Sequence, residues 1–130
     1  GDERRAIDDI MTRLRSIVEE TGAGLILVSH LRRVDGNRGH EQGIEVSLSH
    51  LRGSHSIAQI SDCVIALERN PQADDPNEAN TTYLRVLKSR YTGDIGLASS
   101  LFYNHQTGRL SESEKETFEF NGGQHNELNL

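Results

Sequence analysis

At 130 residues the chain is long enough for one domain with a modest core, and a hydrophobic fraction of 34% with 5% aromatics makes that core small and aliphatic. The net charge is −6, of which residues 111–130 carry −4 (five Glu, one Lys), leaving −2 for the rest; a global basic field is excluded, and any nucleic-acid contact has to be local. A single cysteine, Cys63, excludes an intrachain disulfide, and no apolar run approaches the roughly 18 residues that span a bilayer, so a reducing, cytoplasmic setting without membrane contact is expected.

Residues 2–21 open the chain with helical periodicity. Ile7, Ile10, Met11, Leu14, Ile17 and Val18 recur at steps of three and four, charges fill the other face, and Gly22 stands where a helix C-terminus favours glycine. "GLILVS", 24–29, is a continuous apolar run, the pattern of a strand covered on both faces. A polar stretch from 31 to 55 follows, too long for an ordinary connection and therefore expected to be either a functional loop or a disordered one. "SIAQIS" suits a short helix, "DCVIALE" at 62–68 a second apolar strand, and 70–80, with Pro71 and Pro76, an exposed loop. "TTYLRVLKSR" and "LASSLFYN" predict two more strands, and "NHQTGRL" a tight turn into a short last one. The expected fold class is α/β, with a mainly parallel sheet and an antiparallel C-terminal edge over 1–110; 111–130 is an acidic tail with the composition of a disordered segment. Because the chain opens on a helix, the strand such a helix should follow is missing.

Several side chains stand where ligands bind. His30 lies just past the end of an apolar strand, the place where α/β sheets meet their ligands, and an imidazole there can donate to a phosphate; a histidine that only caps the strand fits the same position. Arg32, Arg33, Arg38 and Arg52 sit in the glycine-containing loop, where they could track a nucleic-acid backbone or simply be solvated. His40, His50 and His55 match no zinc spacing, and no metal site is expected. Arg69 and Tyr103 each close a strand. If those strands run in the same direction, an arginine plane and a phenol ring can sandwich a heterocyclic base. In "LKSRYTGD", Lys88 and Arg90 are two residues apart, so in an extended chain they face one way, as if toward an anion.

Together, "VSHLRR", "LSHLRGSHSIAQISD", "VIALERN", "LKSRYTGD" and "YNHQTGRL" resemble, in order and spacing, the C-terminal part of the helicase domain of phage-type replicative primase–helicases, relatives of the DnaB-type ring helicases with a RecA-like fold. The resemblance implies the following roles. His30 would sense the terminal phosphate of the bound nucleotide, and Arg69 with Tyr103 would stack on its base. Arg32, Arg38, Arg52, Gly53 and Ser54 would grip single-stranded DNA, and Gln59 would link nucleotide state to the DNA loops. Arg90 would be the arginine finger, with Lys88 beside it, reaching the nucleotide of the neighbouring subunit in a hexamer. The implied activity is ATP- or dTTP-driven 5′ to 3′ translocation on single-stranded DNA and duplex unwinding, with Mg²⁺, in an infected bacterial cell.

The chain also departs from that family. No G-x-x-x-x-G-K-[ST] occurs, so this is a partial domain without the Walker A half, and on its own it is expected to be inactive. His50 stands where an acidic residue often precedes "LRGS", and His55 where a small residue often follows, which bears on the conformation of the DNA loop. Three readings therefore stand side by side: the C-terminal part of a helicase motor that needs a complementing Walker A half; a stand-alone DNA-binding or helicase-interacting module; and another RecA-like ATPase such as a recombinase, against which "LRGS", "Q-x-x-D" and "LERN" argue. The acidic tail resembles in character the flexible acidic tails of phage helicases, which touch polymerase; that resemblance implies a docking peptide carrying Phe118 and Phe120, and plain disorder fits the same composition.

Overall fold

The computed structural model describes residues 1–33, 39–52, 55–112 and 120–121, and the chain divides into two compact units. The first comprises residues 1–32 and 47–61, the second residues 33–46 and the chain from 62 onward.

In the first unit, helix α1 spans Asp2–Thr21 and packs against the one-turn helix α2, Ser56–Ile60. Asp2 and Glu3 stand in its first turn, where the helix dipole favours acids. Gly22 ends it in the left-handed region (φ 70°), returning its N–H to the Val18 carbonyl at 2.9 Å. The apolar stripe divides into two rows. Ile7, Met11, Leu14 and Val18 turn inward, with Met11 buried, whereas Ile10 and Ile17 stay about half exposed.

The strand expected over 24–29 does not form. Ile26 is 94% exposed and Val28 85%, and no described strand lies alongside. A strand buried on both faces must pass its N–H and C=O groups to neighbours on either flank. Among the described residues, the strand-like pairing nearest the run is an isolated antiparallel bridge between Leu31 and Leu51.

The second unit is built on one sheet: β1 Cys63–Arg69, β2 Thr81–Ser89, β3 Ile95–Asn104 and β4 Arg109–Glu112 in sequential order, with β5, Phe120–Asn121, pairing with Ile95 and Gly96 of β3. Every pairing is antiparallel, so the expected mainly parallel sheet is not what the described residues contain; the mixture of helix and strand and the antiparallel C-terminal part are. The connections follow from local turn chemistry. Gly93 (φ 76°) closes β2–β3 with its N–H on the Ser89 carbonyl at 2.8 Å. Asn104 makes the β3–β4 turn. Its side-chain oxygen accepts from the N–H groups of Gln106 (2.9 Å) and Thr107 (3.2 Å), and Gly108 (φ 69°) donates to its carbonyl at 2.7 Å.

One face of β1 is covered and the other is open. Val46, Ala66, Glu68 and Ser100 are buried, while Ile65 and Leu67 are more than half exposed. The covered face holds an ion pair. Arg85 Nε lies 2.9 and 3.1 Å from the Glu68 carboxylate, which also accepts the Val46 N–H, and Arg85 Nη1 meets Glu45 at 3.2 Å. Residues 39–46, expected as part of an open loop, are thus tied into this unit: His40–Gln42 form a single 3₁₀ turn and Val46 is sealed against the sheet. The segment 70–80 likewise contains a short helix, α3, Pro76–Ala79. Asp75 caps it through the Asn77 N–H at 3.0 Å, and Pro76 stands at its start.

Candidate nucleotide site and nucleic-acid interface

Arg69 is the last residue of β1 and Tyr103 the last but one of β3. Both strands run antiparallel to β2 and hence in the same direction, so the two residues come to the same end of the sheet. The turn out of α3 ties them together there. Arg69 Nε donates to the Ala79 carbonyl at 2.7 Å, and the Tyr103 N–H donates to the Asn80 carbonyl at 3.0 Å. The Asn80 amide nitrogen donates to the Pro76 carbonyl at 3.0 Å, leaving its oxygen to face His105 Nε2 at 2.8 Å. That assigns the proton to Nε2 in this pair. The His105 ring meets Tyr103 edge-on, with centroids 5.0 Å apart and planes at 88°. Arg69 also lines a recess of about 240 Å³, walled by Ile44, Val46, Leu67 and Pro71 together with His40, Glu41 and Glu68. One end of the sheet therefore offers a cation, a braced phenol and a recess with apolar side chains and two acids in its wall, a setting that a flat heterocycle can use.

Sequence reasoning missed Asn80 and His105. Both fell in stretches read only as loop and turn. The signal available was Tyr103-x-His105, which puts an aromatic and an imidazole two residues apart across a strand end.

Lys88 and Arg90 lie at the opposite end. Lys88, half-buried, pairs with Val64 near the start of β1, and Arg90 follows the end of β2. The Arg90 N–H donates to the Asp62 carbonyl at 2.8 Å, and its Nη1 meets Asp62 Oδ1 at 2.6 Å. From Thr82, which faces Arg69, to Ser89 is about 23 Å along the strand at its usual rise. The structure thus keeps the base-stacking candidates apart from the cationic candidates.

In the first unit, residues 30–32 and 50–52 form a clasp. The Arg52 N–H donates to the His30 carbonyl at 3.0 Å and the Arg32 N–H to the His50 carbonyl at 2.8 Å, on either side of the Leu31–Leu51 bridge. Arg32 Nε reaches the Ser49 carbonyl at 2.7 Å, and the Ser47 N–H donates to His50 Nδ1 at 3.1 Å. His30, Arg32 and Arg52, all exposed, are therefore brought together, with His50 inside the same clasp. Gln59 lies on the exposed side of α2. Arg38, Gly53 and Ser54 lie outside the described residues. Among the described residues, no helix is long and apolar enough to cross a membrane.

The chain belongs to the DnaB-like helicase C-terminal domain family, whose model matches residues 1–112. The match stops at the residue that ends β4. Among individual proteins, the chain is 44% identical over 113 residues to the DNA helicase/primase of Enterobacteria phage T3, an alignment that takes in 87% of this chain and 19% of that relative. The chain therefore spans a minor part of the relative's length.

Proposed function

We propose that this chain is the C-terminal part of a replicative ring-helicase motor that uses ATP or dTTP with Mg²⁺ to move 5′ to 3′ along single-stranded DNA and unwind duplex, working in a hexamer. The observation that carries this reading is the separation of the two arginines. A base held between Arg69 and Tyr103 occupies one end of the sheet, and Arg90 with Lys88 occupies the other. A single nucleotide is poorly placed to use both, whereas neighbouring subunits around a ring bring one subunit's second end to the next subunit's first.

In this mechanism Arg69 and Tyr103 fix the base, and His30 donates a hydrogen bond to the terminal phosphate. Arg90, with Lys88 beside it, supplies positive charge in trans as charge develops on the phosphoryl oxygens, an effect worth factors on the order of 10³ to 10⁵. Arg32, Arg38 and Arg52, with the backbone of Gly53 and Ser54, hold phosphates of the strand, and Gln59 links the two events. The nucleotide supplies the reacting phosphates, and its phosphate and Mg²⁺ cradle belongs to residues outside this sequence, which has no Walker A motif. With that half present, the apolar run 24–29 takes its place in a RecA-like parallel sheet, of which the antiparallel ribbon forms the edge. Beyond β4 the acidic tail, which carries Phe118 and whose Phe120, in β5, pairs with Gly96, would dock a DNA polymerase from the same replication machinery in the infected cell's cytoplasm.

The test is to combine this chain with a Walker-A-bearing half and measure nucleotide hydrolysis with and without single-stranded DNA, running the Arg90→Ala form in parallel. Stimulated hydrolysis only in the mixture, lost in Arg90→Ala, is the expected result. No hydrolysis, with salt-sensitive single-strand binding by this chain alone, would favour a DNA-binding module in place of a motor.

A further inference from the structure

Arg90 is the one cation of the proposed trans site that lies beyond the strand ladder. Lys88 is held within β2, opposite Val64, whereas Arg90 follows Ser89, the last residue of that strand. An arginine at such a position has many rotamers, and a guanidinium that must meet a phosphate on another subunit loses that freedom when it binds. Asp62 meets this difficulty twice. Its carbonyl takes the Arg90 N–H at 2.8 Å, extending the β1–β2 ribbon by one bond, and its carboxylate takes Nη1 at 2.6 Å.

We infer that Asp62 is a positioning residue for Arg90: its carboxylate holds one edge of the guanidinium so that the side chain is already directed when a neighbour's triphosphate arrives. The inference rests on the reading of Arg90 as the cation supplied in trans. Three observations support it. The two side chains are only partly covered, at 39% and 32% exposure, so the pair can be reached by a partner subunit. An ion pair this exposed adds little to stability, which leaves orientation as its main consequence. A guanidinium also carries five N–H donors in a rigid fork, so a carboxylate bound at Nη1 is compatible with a phosphate on another edge. The chain supplies a link as well, since Asp62 lies three residues after Gln59. The residue proposed to relay nucleotide state to the DNA loops and the carboxylate that directs Arg90 thus share one short segment.

Asp62→Asn separates the two contacts, because it keeps the backbone bond and removes the charge. In the chain itself, side-chain nitrogen relaxation of Arg90 should show a restrained guanidinium in the wild type and a mobile one in Asp62→Asn. The backbone amide resonances of β1 and β2 should hardly move, and Asp62→Glu should restore part of the restraint. In the mixture with the Walker-A-bearing half, Asp62→Asn should lower kcat about tenfold and leave KM for nucleotide within about twofold, with Asp62→Glu recovering most of the loss. An Arg90 side chain equally mobile in wild type and Asp62→Asn would overturn the inference. So would a rise in kcat in Asp62→Asn, because the carboxylate would then be restraining Arg90 away from its target. Should Arg90→Ala leave hydrolysis unchanged, the trans reading falls, and the relaxation measurement still decides whether Asp62 directs Arg90.

Discussion

Residues 24–29 and residues 81–89 are both segments whose residues favour strands, yet only the second becomes one. β2 lies between β1 and β3, each joined to it by a chain reversal, and it is paired with β1 over most of its length and with β3 from Thr81 to Val86. The run 24–29 has no described strand beside it, and Ile26 and Val28 project into solvent. An antiparallel ribbon recruits its neighbours from nearby sequence, through turns such as Asn104–Gly108. A parallel strand depends on partners brought from far away. Apolar patterning therefore records how much burial a segment needs and says nothing of who provides it. The same contrast bears on function, because the sheet that does form carries the proposed base-stacking pair, Arg69 and Tyr103, at one end and the proposed trans cations, Lys88 and Arg90, at the other.

Arg90→Ala is the largest lever on that comparison. In the reconstituted motor it should cut single-strand-stimulated hydrolysis by about 10³ while single-strand binding stays intact. A loss below tenfold would mean that the second end of the sheet faces no phosphate. Next comes the complete unit's own foundation. Glu68→Ala strands Arg85 against the covered face with only the exposed Glu45 as partner, and should cost about 3 kcal/mol in denaturant unfolding of the chain. Glu68→Gln, which keeps an acceptor for the Val46 N–H, should cost less.

At the base end the effects should be smaller. Tyr103→Ala removes one wall of the proposed sandwich and should raise KM for nucleotide about tenfold, in line with about 1–3 kcal/mol per stacked base. Tyr103→Phe should stay near wild type, because no hydrogen bond from the Tyr103 hydroxyl enters the proposed base contact. Equal losses from the two substitutions would show that the hydroxyl, rather than the ring, does the binding.

Much of this was legible in advance, and the reasons differ by element. Helix α1 was read to its last residue because 3.6-residue periodicity and Gly22 are local signals. Strands β1, β2 and β3 and the Asn104–Gly108 turn were legible from runs of apolar and aromatic residues bounded by turn residues, which are local signals too. Bringing Arg69 and Tyr103 to one end of the sheet requires only that their two strands share a direction, and an antiparallel ribbon of three supplies it. The packing of 39–46 onto β1 was not legible, since Glu68 reads as a surface acid until Arg85 and the Val46 N–H are found around it. Neither was the Asp62–Arg90 pair, whose members are 28 positions apart.

The smallest effect tests the comparison most directly. Val28→Ser removes apolar surface from a side chain that is 85% exposed, so in the chain alone it should alter stability by no more than about 0.5 kcal/mol. If the run is completed as a covered strand once the rest of the motor is present, the same substitution buries a hydroxyl and leaves a small void. The assembled protein should then lose about 1–3 kcal/mol, seen as weaker association with the Walker-A-bearing half. Met11→Ser makes the control, because Met11 is already buried here and should be costly in both settings. A Val28→Ser that is silent in both would show that the apolar run stays open in the working motor. The parallel sheet would then have to be built without it.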